Sequence, residues 1–392
     1  MSTQFPFFEI HHISFIFDNE IPELQIMAKP TKSSILYLLL IFAPISFVLN
    51  QIHSNTILLF LISIISLIPL AKLIGDSTEH LASYYGSTTG SLLNVTFGNA
   101  AEIIIGIIAI NAGLIDLVKA TIIGAILGNI MLIFGLSLVV GGLRHKEQVF
   151  NRENAGLQSS MIFLSIIGLA IPTLLSVTAF ESDPVSGEMK IQLLSDSLAV
   201  LLVAVYAAGI IFTFVTHKHL FTSSVNTKEN DNAHPISLAQ WSKKKSFLIL
   251  GISMIGVVVV SEILVGSVEE TGKGLGFGEL FVGAVIVGIV GNAAEHSSAI
   301  LLARRGKIDL SIGIAAGSGT QIALFVVPIL VFAGIALGRP FTLVFTLYEL
   351  VTVFLAAIIL NLIAHDGKSN WFEGIMLTAV YVIIALGFYF IG

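Results

Sequence analysis

The chain contains no cysteine, so no disulfide framework shapes it and no redox compartment can be read from it. Charge is nearly as scarce. Asp, Glu, Lys and Arg make up 11% of the 392 residues, against about 25% in a soluble domain. With 55% hydrophobic residues and a mean hydropathy of +0.94, that shortage excludes a soluble globular protein and leaves an integral membrane protein. Catalytic signatures are missing too. There is no His-Glu-x-x-His, no phosphate-cradling Gly-x-x-x-x-Gly-Lys, no Gly-x-Ser-x-Gly elbow and no basic aromatic stripe for nucleic acid. No enzymatic activity, permanently bound cofactor or nucleic-acid partner is therefore expected. Residues 1–33 lack the basic start, apolar core and small-residue cleavage site of a signal peptide. They read as a disordered N-terminal extension, with Met27 as an alternative start.

What the chain has is apolar runs. Stretches long enough to cross a bilayer, roughly 17–25 residues, fall near 34–50, 55–84, 90–112, 117–142, 156–178, 192–217, 245–268, 277–303, 308–336, 341–364 and 371–391. The expected fold is all-α, with eleven transmembrane helices in the lipid bilayer. With a cytoplasmic N-terminus, loop Lys and Arg such as Lys32, Arg144, Lys146, Arg152, Lys243, Arg304, Arg305 and Lys368 share the cytoplasmic side. Only Lys119, Lys190, Lys273 and Arg339 fall opposite. That asymmetry obeys the positive-inside rule and would collapse if one central span were added or lost. It places the C-terminus on the side opposite the N-terminus. The host membrane reads as a prokaryotic plasma membrane, with a vacuole-like organelle as the alternative.

One word occurs twice. Gly-Asn-Ala-Ala-Glu stands at Gly98–Glu102 and again at Gly291–Glu295, each time inside apolar sequence. An ionisable residue at the centre of a membrane helix costs about 2.5–3.5 kcal/mol on insertion scales, so its repetition signals a duplication built around two carboxylates. The hydrophilic linker 218–244 separates a first five-span repeat, 55–217, from a second, 245–392, with 34–54 as a peripheral first span. Five is odd, so the second repeat is inverted. Inverted repeats with a site at their interface are a common plan of secondary transporters.

Asn99 and Glu102 are three apart, as are Asn292 and Glu295, so each pair shares a helix face. The preceding glycines permit a close approach or a break that frees carbonyls. Two carboxylates, side-chain amides, carbonyls and water suit Ca²⁺, which takes six to eight oxygens. A small-residue packing motif is the competing reading. Asn129, Gln321 and Ser318 lie at matching depth and either complete the cation shell or make interhelical hydrogen bonds. Glu79 and Glu262, in the matching pairs Thr78-Glu79 and Ser261-Glu262, and His296, beside Glu295, are candidate proton-coupling groups. Glu269 and Glu270 read as solvated rim charges.

The paired Gly-Asn-Ala-Ala-Glu words, with His296 after the second, resemble those of CAX-type cation/proton antiporters of the Ca²⁺/cation antiporter superfamily, over about residues 34–392. The resemblance implies eleven helices, one peripheral plus two inverted five-helix repeats, and exchange of Ca²⁺ for H⁺. It also implies Glu102 and Glu295 as ligands shared by the two substrates. The linker departs from the family pattern, carrying only Glu229 and Asp231 as acids among several lysines. Two carboxylates close together in low dielectric do not both stay ionised when empty, so one Ca²⁺ or protons neutralise them in turn. The alternatives are Na⁺-coupled exchange, a broader divalent range (Mn²⁺, Mg²⁺, Cd²⁺), a passive channel and, last, an intramembrane hydrolase.

Overall fold

The computed structural model describes residues 36–85, 92–93, 96–178, 184–217 and 241–391. The expectations for residues 1–33 and for most of the 218–244 linker fall outside the described residues. Residues Met1–Leu38 cluster as a unit apart from Leu39–Gly392, and only Leu36–Leu38 of that unit are described.

The second unit is built from helices: α1 (Phe42–Gln51), α2 (Thr56–Tyr85), α3 (Ala100–Ala112), α4 (Ile115–Gly142), α5 (Arg152–Thr178), α6 (Pro184–Ile211), α7 (Lys243–Leu275), α8 (Glu279–Gly291), α9 (Ala293–Arg304), α10 (Ile308–Ala336), α11 (Leu347–Ala364) and α12 (Trp371–Ile391). Eight helices are long and apolar enough to cross a membrane, and α8 with α9 passes the same test only as a pair bent by 62°. The remaining apolar segments, around α1 and α3, are shorter than a full span. The expected apolar runs are helical over most of their described residues, though 341–346 is not helical, parts of 34–50 and 90–112 lie outside the described residues, and the helices around α1 and α3 are too short to span alone. Boundaries follow local chemistry. Ser242 caps α7 by accepting the Lys245 N–H at 3.3 Å. Thr346 and Glu349 form a reciprocal capping box on α11. Gly113, at φ 86°, ends α3 in the left-handed region that glycine adopts without a Cβ penalty.

Helices α4 and α10 form the centre, and α6 the periphery. In its most apolar stretch α4 is 83% buried and α6 only 17%, so the lipid must cover most of α6. The longest contact surface joins α2 to α7, the first helices of the two expected repeats. Buried serines line these helices, Ser63, Ser66 and Ser77 on α2 and Ser253, Ser261 and Ser267 on α7. Small side chains let membrane helices approach where lipid offers no hydrophobic drive. Helices α4 and α8 come closer still. A Cβ on Gly124 would lie 1.9 Å from the Ala284 carbonyl oxygen, and one on Gly288 would lie 2.8 Å from the Ala125 nitrogen.

Loop contacts divide the unit into two faces. On one, strand β1 (Gln148–Val149) pairs antiparallel with β2 (Lys368–Ser369), and Lys368 bridges Glu147 at 2.8 Å. That ion pair holds the exposed Lys368 ammonium above the usual lysine range. Asp309, in the first turn of α10, accepts the Asn151 N–H. This face gathers Arg144, Lys146, Arg152, Arg304, Arg305, Lys307 and Lys368. On the other, Thr56 donates to Glu270 at 2.7 Å, Lys273 bridges Glu269 at 2.7 Å, and Arg339 lies against Gly113. Among the described loops, the one after α4 thus meets those after α9 and α11, and the start of α2 meets the end of α7.

Because the chain has no native cysteine, single introduced cysteines report sidedness cleanly. Lys146→Cys, Arg305→Cys and Lys368→Cys will react with an impermeant maleimide from one side of sealed vesicles. Lys273→Cys and Arg339→Cys will react from the other. Labelling of any one of them with the opposite set would break the span count.

Candidate cation site

The repeated word breaks its helix in both copies, and it breaks at the asparagine. Asn99 has φ −98°, ψ 21° and Asn292 has φ −94°, ψ 6°, each just before a helix that begins with Ala-Ala-Glu. The two backbones match although the residues lie far apart in sequence. The glycines act otherwise than as hinges: neither takes a positive φ. Gly291 instead permits an approach, since a Cβ there would sit 2.9 Å from Glu102 Oε1. The carboxylate of the first copy thus rests on the backbone of the second. The carbonyls of Asn99 and Asn292 stay occupied, accepting the N–H of Ile103 and His296 at 3.1 and 3.0 Å.

Around these breaks the polar side chains join across the expected repeats. Asn99 Nδ2 donates to Gln321 Oε1 at 2.7 Å. Asn129 Nδ2 donates to Ser318 Oγ at 3.1 Å, and the Ser318 hydroxyl lies 3.4 Å from Asn292 Oδ1. Asn292 Nδ2 donates to the Gly288 carbonyl at 3.3 Å. His296 Nε2 lies 3.0 Å from Asn129 Oδ1. Since the Asn129 amide nitrogen already donates to Ser318, its oxygen accepts, and His296 must carry its proton on Nε2. Ser318 thus stands between Asn129, which donates to it, and Asn292, which accepts its proton.

Not every polar atom is satisfied. Asn99 Oδ1, Glu102 Oε2 and Glu295 Oε2 are buried and have no hydrogen-bond partner. Glu349 Oε1 and several serine hydroxyls elsewhere also lack partners, so what sets these three apart is that they gather at the two breaks. These three are all oxygens, all acceptors when the glutamates are ionised, and all belong to the two copies of one word. No group of three or more His, Cys, Asp or Glu side chains gathers anywhere among the described residues. The donor set is thus two carboxylates and neutral amide and hydroxyl oxygens. Its charge of −2 matches one divalent cation of the hard, oxygen-seeking kind.

Glu102 also ends a narrow cavity of about 20 Å³, enough for roughly one water molecule. From Glu102 it follows Ile105, Gly106 and Ala109 along α3 toward the Gly113 end, facing Leu117 and Ile122 of α4 and Leu330 of α10. Apart from Glu102, Thr121 is its one polar lining residue. Gly106 admits Leu330 so closely that a Cβ would lie 2.7 Å from Leu330 Cδ2. The cavity is thus lined almost wholly by apolar side chains, with Leu330 packed against α3 at Gly106.

The structure therefore brings together Asn99, Glu102, Asn129, Asn292, Glu295, His296, Ser318 and Gln321. It leaves out Glu79 and Glu262, both exposed. Glu262 lines a wide groove with Phe47, Asn50 and Glu270 beside α1. Two features escaped sequence reasoning. Asn129 lies within a π-helical turn, Gly128–Ile133, and Gln321 directly precedes another, Ile322–Val326. Such turns add a residue to the helix and re-aim a side chain, and composition gives no signal for them. The apolar passage was half visible, in the i+3, i+4, i+7 spacing of Ile105, Gly106 and Ala109 from Glu102. The contact of Leu330 with Gly106 was not.

The chain matches the sodium/calcium exchanger protein family over residues 55–215 and 245–390. It is 40% identical over 371 residues to the Ca²⁺/H⁺ antiporter of Synechocystis sp., covering 92% of this chain and 98% of that one. It is 39% identical over 350 residues to the Ca²⁺/H⁺ antiporter ChaA of Bacillus subtilis, covering 88% and 96%. Among solved structures, native YfkE superposes with a TM-score of 0.76 at 36% identity, covering 91% of this chain and 99% of that one. The two matched segments contain both copies of Gly-Asn-Ala-Ala-Glu, and the chain belongs to the sodium/calcium exchanger protein family.

Proposed function

We propose that this chain exchanges Ca²⁺ for H⁺ across its membrane at a single site formed by Glu102 and Glu295. The observation that carries this reading is the set of buried, partnerless oxygens on Glu102, Glu295 and Asn99, set where the two helix breaks face each other. The names of the similar bacterial antiporters support the choice of substrates. Two like charges in a low-dielectric site repel, and a cation or protons must neutralise them before the site can be occluded cheaply. Occupancy by one substrate therefore excludes the other, and the pair titrates as a unit. Asn99, Asn292, Asn129, Ser318 and Gln321 complete the shell or aim it. Alternating access opens the site first to the basic face and then to the other. That basic face is the cytoplasmic one by the positive-inside rule, in a bacterial plasma membrane.

In everted vesicles Glu102→Gln and Glu295→Gln will each abolish Ca²⁺ uptake driven by an imposed pH gradient, with protein levels unchanged. Near-normal exchange by either variant overturns the shared site. A Na⁺ gradient imposed at equal pH on both sides will drive no flux, and flux there would favour Na⁺ coupling.

Competition fixes the sign of the pH dependence. Protons and Ca²⁺ neutralise the same carboxylates, so the apparent Ca²⁺ affinity at the binding face will weaken as pH falls. A titration of half-saturating Ca²⁺ against pH checks this, and a flat profile rules out shared ligands.

Gly291→Ala places a methyl 2.9 Å from Glu102 Oε1 and will displace that carboxylate. Initial rates at saturating and limiting Ca²⁺ should show apparent affinity reduced by roughly tenfold or more, the loss of one charge-assisted contact of about 1.5–3 kcal/mol. Gly98→Ala serves as the comparison.

A further inference from the structure

The cytoplasmic-face ends of α2 and α7 carry a cluster that plays no part in the cation site. Helix α7 starts Lys243-Lys244-Lys245, all exposed, with no acidic residue in its first turn. Among the described residues none of the three forms an ion pair. Two of them lie over aromatic faces instead. The Lys243 ammonium is 4.8 Å from the Tyr85 ring centre and 5.2 Å from that of Tyr84, and the Lys245 ammonium is 5.1 Å from that of Trp241. Tyr84 donates its hydroxyl to the Trp241 carbonyl at 2.8 Å, so the rings belong to one assembly that joins the end of α2 to the start of α7. His80 closes it, its ring 4.6 Å from that of Trp241.

The depth of this assembly in the membrane is fixed by its neighbours. Phe247 and Leu248, 50% and 63% exposed, lie just beyond Lys245 and must face acyl chains. The ammonium groups therefore sit about one helical turn or less above the hydrocarbon edge, at headgroup level, where Trp and Tyr collect. A cation–π contact uses one side of an ammonium and leaves its other N–H donors free. Three such groups, with no ion-pair partner among the described residues, present a concentrated positive charge to a layer in which anionic headgroups supply counter-ions.

We propose that Tyr84, Tyr85, Trp241 and Lys243–Lys245 form a binding site for an anionic phospholipid. The lysines take the headgroup phosphate and the aromatic rings cover the glycerol and upper acyl region. A lipid seated there touches both α2 and α7, the pair with the longest contact surface, and tethers them at the cytoplasmic edge. Binding at this site does not depend on the transport reading, and it can be measured without transport.

The chain has two tryptophans, so Trp371→Phe leaves Trp241 as the sole indole. This variant is reconstituted into phosphatidylcholine vesicles containing a small, equal fraction of brominated phosphatidylglycerol or brominated phosphatidylcholine. The brominated anionic lipid should quench Trp241 several-fold more than the brominated zwitterionic one, and Lys243→Gln/Lys244→Gln/Lys245→Gln should remove the difference. From about 1 kcal/mol per basic residue near a charged surface, the preference lost is on the order of 10- to 100-fold. Equal quenching by the two lipids in the Trp371→Phe protein overturns the proposal and needs no lysine variant. A preference that survives the triple substitution overturns the assignment to the lysines. Displacement of the lipid by millimolar glycerol phosphate would make this a free-phosphate site and also overturns it. With Trp241→Phe, the remaining Trp371 should show no such preference.

Discussion

Two carboxylates without counter-cations, buried among apolar helices, set the terms for the rest of this structure. Glu102 and Glu295 each keep an oxygen unpartnered, and holding such groups dry and empty is unfavourable. Every nearby feature serves to make that arrangement tolerable and specific. The amides of Asn99, Asn129 and Asn292 bond to oxygens around the pair rather than to the free carboxylate oxygens. Those oxygens are left available. An apolar structure would have filled the same volume with methyl groups at lower cost.

The second constraint is distance. Helix α4 meets α8 through Gly124, Ala125, Ala284 and Gly288 at backbone contact, and this closeness brings the break at Asn292 to Asn129. Gly291 lets the Glu102 carboxylate lie on the opposite chain segment. Larger side chains would hold the copies apart by more than an oxygen–cation–oxygen bridge can span. Small residues thus work here as spacers of minimum thickness. Their placement at the crossing, and not any flexibility, explains their number near the site.

Most of the architecture was legible in advance because membrane folding is so constrained: backbone groups in lipid must be satisfied within the helix, so apolar runs become helices. The loop faces followed from lysine and arginine placement, and the β1–β2 pairing joins two loops that the charge pattern assigns to one side. The candidate cation site was legible through repetition of a costly word. Glu79 and Glu262 show the limit of that logic. They too recur in matching pairs, yet both lie exposed, because matched sequence positions on paired helices need not face the centre.

The sequence by itself determined the class of protein, the number of apolar segments, the duplication and the identity of the two central acids. These depend on composition and period, which are local properties. Only the tertiary structure decided that the helices break at Asn99 and Asn292, that Ser318 links Asn129 to Asn292, and that Leu330 packs against Gly106 beyond Glu102. Each of those depends on which atoms meet across helices far apart in the chain. The π-turn at Asn129 belongs with them: an added residue re-aims one side chain around the helix axis, and only its neighbours reveal where it then points.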